Sequence, residues 1–230
     1  MRNTIKTAAK FGLFSMLFFT VVSCDKLDTV GNYSIRSFSE LLSNAPQLVS
    51  EDAVNGGWSF AAPDGSARFI WSGNFAASPL FDVMIETDAI PFIAAGLDPA
   101  QLPDNFYFDS KSNLLVVGTK LGTEQLQYNG EVTPLASYRQ IVKLKRGSIG
   151  YHGAMDHYGI NLGDGNLFEW AKDLNTNDKD IVFVLNPEPF IRASVDPDRI
   201  EGWTFARVPV EDEKGRMIEA DKILKPFDLL

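Results

Sequence analysis

The chain predicts an α+β fold: a single domain with a mainly antiparallel sheet and a few short helices. Three observations predict it. Segments of strand character follow one another across short turns more often than they alternate with helices, which favours antiparallel pairing over strand–helix–strand units. The clearest turn, Pro63-Asp64-Gly65-Ser66, lies between the aromatic runs 58–62 and 67–72, where Pro presets φ and Gly accepts a positive φ. The third is composition: 45% hydrophobic and 12% aromatic residues supply a globular core and argue against disorder.

In chain order, Ser37-Phe38-Ser39-Glu40 has the spacing of a capping box ahead of Leu41 and Leu42, predicting a helix start. The 58–62/67–72 hairpin follows, then a strand over 80–86. A short helix is expected over 88–97, with Asp88 as its cap and Gly96 near its end. Strands are expected at 105–109 and 114–121. Thr133-Pro134 opens a helix or a strand through Arg146, and the basic end Lys143, Lys145, Arg146 suits a helix C-terminus. Residues 148–152 and 157–162 read as a hairpin, 166–174 as a helix, 181–185 as a buried strand closed by Pro187 and Pro189, and 202–210 as a last strand. No internal repeat emerges and the composition does not shift along the chain.

The N-terminus carries Arg2, Lys6 and Lys10 without an acidic residue, followed by the uncharged run 11–22. A basic start and an apolar run of about 7–15 residues form a secretory signal; a membrane-spanning helix needs about 20. The run ends in Val21-Val22-Ser23-Cys24, which resembles the bacterial lipobox. The resemblance implies cleavage before Cys24 after its thiol has received a diacylglycerol. It divides the chain into a signal peptide at 1–23, a lipid-anchored tether at 24–32 and a globular domain at 33–230. Cys24 is the only cysteine, so no disulfide is available to the exported domain. The expected location is the extracytoplasmic side of the cell envelope, at the outer membrane or cell surface, held by acyl chains.

The full chain has 30 acidic and 21 basic residues and a net charge of −9. Removing Arg2, Lys6 and Lys10 leaves 18 basic residues and a net charge of −12. Such a balance excludes nucleic acid as a partner, since binding there depends on neutralising phosphates with Lys and Arg.

Several residue groups are candidates for chemistry. The only two histidines are His152 and His157. The segment His157-Tyr158-Gly159-Ile160-Asn161-Leu162-Gly163 resembles the His-x-Gly-Ile-Asp core of lysostaphin-like zinc endopeptidases. There the His and Asp are zinc ligands and a later His-x-His supplies the rest. In this chain Asn161 replaces the Asp and no histidine follows residue 157. A plainer metal set is His152, Asp156, His157, Asp164 and Glu169, if they converge. Asp173, Asn175 and Asn177 have the Asp-x-Asn-x-Asn spacing of a calcium loop. Asp178 stands where that loop needs Gly, and Val184 where it needs Glu. The reading therefore predicts no cofactor and leaves calcium as the one metal to test. Trp58 and Trp71 are candidate sugar platforms facing each other across the first hairpin. Glu86, Asp88, Asp104, Asp109 and Glu131 are the carboxylates open to a glycosidase-type pair.

The composite expectation is a non-catalytic binding or scaffolding module for an envelope glycan, peptide or protein; the alternative is an envelope hydrolase, with or without metal. Cys24→Ser is expected to abolish incorporation of a palmitate analogue and to release the chain from the membrane fraction. Retained labelling would refute the lipobox reading.

Overall fold

The computed structural model describes residues 19–174, 179–211 and 216–229, with side chains from residue 29 onward. Residues 1–18 of the expected signal peptide, the Cys24 side chain, Asn175 and Asn177 lie outside the described residues. The first half of the chain runs α1 (Phe19–Asn44), β1 (Val49–Asp52), β2 (Gly57–Ala61), β3 (Ala67–Ser72), β4 (Val83–Asp88), α2 (Ile90–Ala94), β5 (Phe106–Asp109) and β6 (Leu114–Thr119). The second runs α3 (Pro134–Leu144), β7 (Ile149–His152), β8 (His157–Asn161), β9 (Leu167–Ala171), β10 (Ile181–Leu185), α4 (Pro187–Arg192), β11 (Thr204–Glu211) and β12 (Met217–Phe227). Two antiparallel six-stranded sheets result, ordered β1-β2-β3-β4-β6-β5 and β7-β8-β9-β10-β12-β11. The expected mainly antiparallel α+β domain is what the chain forms.

The two halves are the same unit twice. Element order and strand order repeat, and register repeats with them. Phe60 pairs with Phe69 and Phe69 with Ile85. Ile160 pairs with Phe168 and Phe168 with Phe183 in the equivalent places. Ser37-Phe38 recurs as Ser137-Tyr138, Trp71 as Trp170, Pro91-Phe92-Ile93 as Pro189-Phe190-Ile191, and Asp98-Pro99 as Asp196-Pro197. The expectation of no internal repeat is thus corrected. The residue offset falls from 100 at Phe60/Ile160 to 99 at Phe69/Phe168 and 98 at Phe92/Phe190, which breaks a fixed-period match.

The halves meet through equivalent residues. Phe69 and Phe168, both fully buried, stack with centroids 4.3 Å apart and planes 6° apart. Phe92 and Phe190 meet at 5.1 Å. The amide of Asp98 donates to the Ala193 carbonyl (2.8 Å) and that of Asp196 to the Ala95 carbonyl (2.9 Å). The helices cross over: buried Ser37 of α1 donates to the carbonyl of Ala171 at the end of β9 (2.9 Å), and buried Ser137 of α3 to that of Ser72 at the end of β3 (2.8 Å). Phe38 and Tyr138 stack at 4.1 Å between them. Each helix therefore closes the other half's sheet, and neither half can complete its core alone.

Local chemistry accounts for several elements. Thr133 caps α3, its side chain accepting from the Ala136 amide at 3.1 Å, with Pro134 at the first helical position. Other boundaries differ from expectation. Ser37 lies inside α1 and spends its hydroxyl on β9, so the capping-box spacing does not mark a start. The expected tether at 24–32 belongs to α1, and Gly31 is buried against Val142. Residues 166–174 hold strand β9 and no helix, because Phe168 and Trp170 face the core while Glu169 faces the opposite side. The strand placed at 80–86 begins at Val83, and α2 begins at Ile90 with Ala89 at the cap position. The long strand β12 was not foreseen.

Two substitutions test the central contact. Phe168→Ala is expected to cost about 3–5 kcal/mol of unfolding free energy, from lost burial and the cavity left behind. Gly96→Ala is expected to destabilise as well, because Gly96 has φ +110° and an added Cβ would meet the Ser194 carbonyl oxygen at 2.6 Å. Denaturant titration of the full chain measures both.

Candidate functional site

The outer faces of the two sheets, pointing away from the shared core, have diverged. On the first sheet, Ser50, Ser59, Ile70 and Met84 form one row. The Ser50 and Ser59 hydroxyls bond at 2.9 Å. Ile70, Phe81, Met84 and Val116 make a small second core. The equivalent row of the second sheet is Gly150, Gly159, Glu169 and Val182. Two serines have become glycines, Ile70 has become Glu169, and Asp52 has become His152. With no side chains on β7 and β8 in this row, the sheet carries a depression. A Cβ on Gly150 would meet nothing within 4 Å.

The second difference is length. β5 and β6 have 4 and 6 residues, whereas β11 and β12 have 8 and 11. β10 pairs with β12 only from Ile223 to Phe227. The rest of the hairpin, Ala206–Glu211 against Met217–Lys222, runs on as an arm. It passes over the outer face and reaches β7 on the far edge, where the His152 imidazole Nε2 donates to the Pro209 carbonyl at 2.7 Å. The arm and the glycine floor enclose an open pocket of about 210 Å³, lined by Gly150, Gly159, Leu167, Glu169, Val210 and Glu211 among others.

The pocket wall contains a buried ion pair. Glu169 is 3% exposed, and its carboxylate lies 3.3 Å from His152 Nδ1. The hydrogen bond to Glu169 raises the His152 pKa above its ordinary value, against the opposing effects of burial and of Lys222. Lys222, on the arm's inner strand, donates to the Gly165 carbonyl at 3.1 Å, and burial lowers its pKa. Both His152 nitrogens thus face acceptors, an arrangement that the protonated ring, with two N–H donors, satisfies in full.

The residues singled out from sequence are placed as follows. His152 and Glu169 come together, as an ion pair. His157 is fully buried and its Nε2 donates to the Lys179 carbonyl at 2.6 Å. Asn161 is exposed and accepts from the Gly163 amide. His157 is thus turned into the interior and Asn161 lies at the exposed end of the strand, so the two are not presented to one zinc ion. Asp156 bonds the Tyr151 hydroxyl and Lys172, and Asp164 sits in the β8–β9 turn. Asp173 is exposed. Among the described residues, no three His, Cys, Asp or Glu side chains are grouped to hold a metal. Trp58 and Trp71 are register partners as expected, but Trp71 is fully buried and donates its indole N–H to the Pro134 carbonyl. Trp58 packs against the same core, so Trp71 offers no face to a sugar. Glu86 pairs with Arg68 at 2.5 Å, while Asp88 and Asp109 accept turn amides. Sequence reasoning missed Gly150, Gly159 and the arm. The signal was there in two glycines inside adjacent strands, which mark close approach or open space.

The chain matches no protein-family model, no curated protein and no solved structure. Among the described residues no helix is long and apolar enough to cross a membrane.

His157→Ala is expected to destabilise the chain by about 1–3 kcal/mol, because the Lys179 carbonyl loses its buried donor. Gly150→Leu is expected to leave the melting temperature close to that of the parent, since its side chain enters open space. Thermal unfolding of both variants checks this.

Proposed function

We propose that this chain is an exported lipoprotein, anchored through Cys24, that acts as a non-catalytic binding module of the cell envelope. Its ligand is an envelope peptide, protein or glycan that inserts an apolar group into the pocket beneath the arm. The observation that carries the reading is the divergence of two otherwise equivalent outer faces. One is filled and closed by Ile70, Phe81, Met84 and Val116; the other is emptied by glycines and roofed by an extended hairpin. A cavity of about 210 Å³ falls below the roughly 300–1,000 Å³ of whole small-molecule sites. It suits one side-chain-sized group of a larger partner.

The same geometry argues against histidine-assisted hydrolysis at this place. A general base needs a free lone pair within reach of the proton it takes. His152 has both nitrogens engaged by Glu169 and Pro209. The pair positions the arm, and the imidazole has no lone pair left to activate water.

A photo-reactive amino acid at Gly150 is expected to yield a covalent adduct in intact cells, while the same residue at exposed Lys111 yields none. Hydrolysis of envelope glycan or peptide by the purified chain, abolished by Glu169→Gln, would overturn the proposal.

A further inference from the structure

We infer that the arm formed by the outer parts of β11 and β12 is a lid over the pocket, and that His152 is its latch. What the lid covers rests on the binding reading above; its opening and closing do not.

The argument begins with what holds the arm down. From Ala206 to Glu211 and from Met217 to Lys222, no residue is more than partly buried. Its register bonds are internal to the hairpin, since β10 contributes none beyond Ile223. An element with few buried apolar contacts belongs to the low-stability end of a fold and opens without global unfolding. At its root the arm is tied by Lys222 to the Gly165 carbonyl. Further out, the His152 imidazole bonds the Pro209 carbonyl and ties the arm to β7. That bond lies beside Val210 and Glu211 and holds them against the glycine floor.

The latch requires a second proton on the ring. With His152 charged, Nδ1–H faces the Glu169 carboxylate and Nε2–H the Pro209 carbonyl, so both acceptors are served. A neutral ring carries one N–H. It either abandons Pro209 or turns a bare lone pair toward a buried carboxylate. The charged groups around the ring are Glu169 on β9, Lys222 on β12 and Glu211 on β11; His157 is its register partner on β8. Glu169 is the one in contact, and it favours the imidazolium. The sign follows. A raised folded-state pKa means that closure is complete below the ordinary histidine value of about 6.5 and is lost as pH rises through the raised value.

Hydrogen exchange on the full chain in detergent tests this without any ligand. Arm amides such as Val208 and Ala220 are followed at about pH 5.5 and about pH 9, corrected for intrinsic exchange, with β9 amides as the reference for global folding. In the parent chain, arm protection is expected to fall about tenfold or more at the higher pH while β9 protection stays constant. His152→Ala is expected to leave the arm unprotected at both pH values. Glu169→Gln supplies an amide N–H that can donate to a neutral Nδ1 and leave Nε2–H on Pro209, so the arm is expected to stay protected at both. Parental arm protection that is independent of pH, or a His152→Ala arm as protected as the parent's, would overturn the latch. If His152→Ala lost β9 protection too, Glu169→Gln would decide: a retained parental pH response overturns the inference, and its loss supports it. Failure to capture a ligand at Gly150 would bear only on the binding reading.

Discussion

The fold depends on the stack of Phe69 on Phe168. These two rings occupy the same position in the two halves of the chain and meet face to face in the shared core. Around them the equivalent tryptophans Trp71 and Trp170 pack against Phe38 of α1. Tyr138 of α3 stacks on Phe38, and its hydroxyl reaches Ser34 at 3.1 Å. Burial pushes the Tyr138 pKa up, as expected for a phenol with no water beside it. The sheets are open arrays whose inner faces are apolar, and each needs the other to exclude water. Because α1 crosses to β9 and α3 to β3, the burial of each half is supplied by its counterpart.

Duplication also explains paired details that would otherwise look incidental. Asp82 and Asp180 are both buried and stand at the same place before their strands. Their carboxylates accept the amides of Leu121 and Leu229, the residues that follow the last strand of each half. Gly96 and Ser194 occupy the same left-handed turn, with φ +110° and +72°. Glycine enters that region freely and serine at a cost. The reciprocal Asp98–Ala193 and Asp196–Ala95 bonds hold both turns in place, so the second half tolerates a serine where the first uses glycine.

Against this shared framework, the differences between the halves fall on the outer faces. The inner faces kept aromatic for aromatic. The outer face of the second sheet has glycines where the first has serines and a buried carboxylate where the first has isoleucine, and a hairpin long enough to cross it. A carboxylate in that position costs desolvation unless it is paired, and His152 supplies the pairing while tying down the arm. Packing, charge and pocket shape are therefore one arrangement: the residue that neutralises Glu169 also holds the roof.

By itself the sequence determined the antiparallel α+β class, the Pro63–Ser66 turn and the strand at 181–185, because turn chemistry and short apolar runs act over a few residues; for the segment opened by Thr133-Pro134 it left helix and strand both open. Its N-terminal charge pattern and Val-Val-Ser-Cys segment also carry the expectation of a lipid anchor. Tertiary structure decided the rest. Asn166–Leu174 has apolar spacing that fits a helix or a strand, and only the neighbouring strands β8 and β10 made it β9. The repeat was hidden by two single-residue shifts in offset and by Phe-to-Tyr or Ile-to-Glu exchanges that keep geometry while changing letters. The pocket was illegible because His152, Glu169, Pro209 and Gly150 lie up to 59 residues apart, and nothing local states that a hairpin will fold back over the sheet. Their meeting is set by sheet register and by the path of the arm, which exist only once both halves have packed.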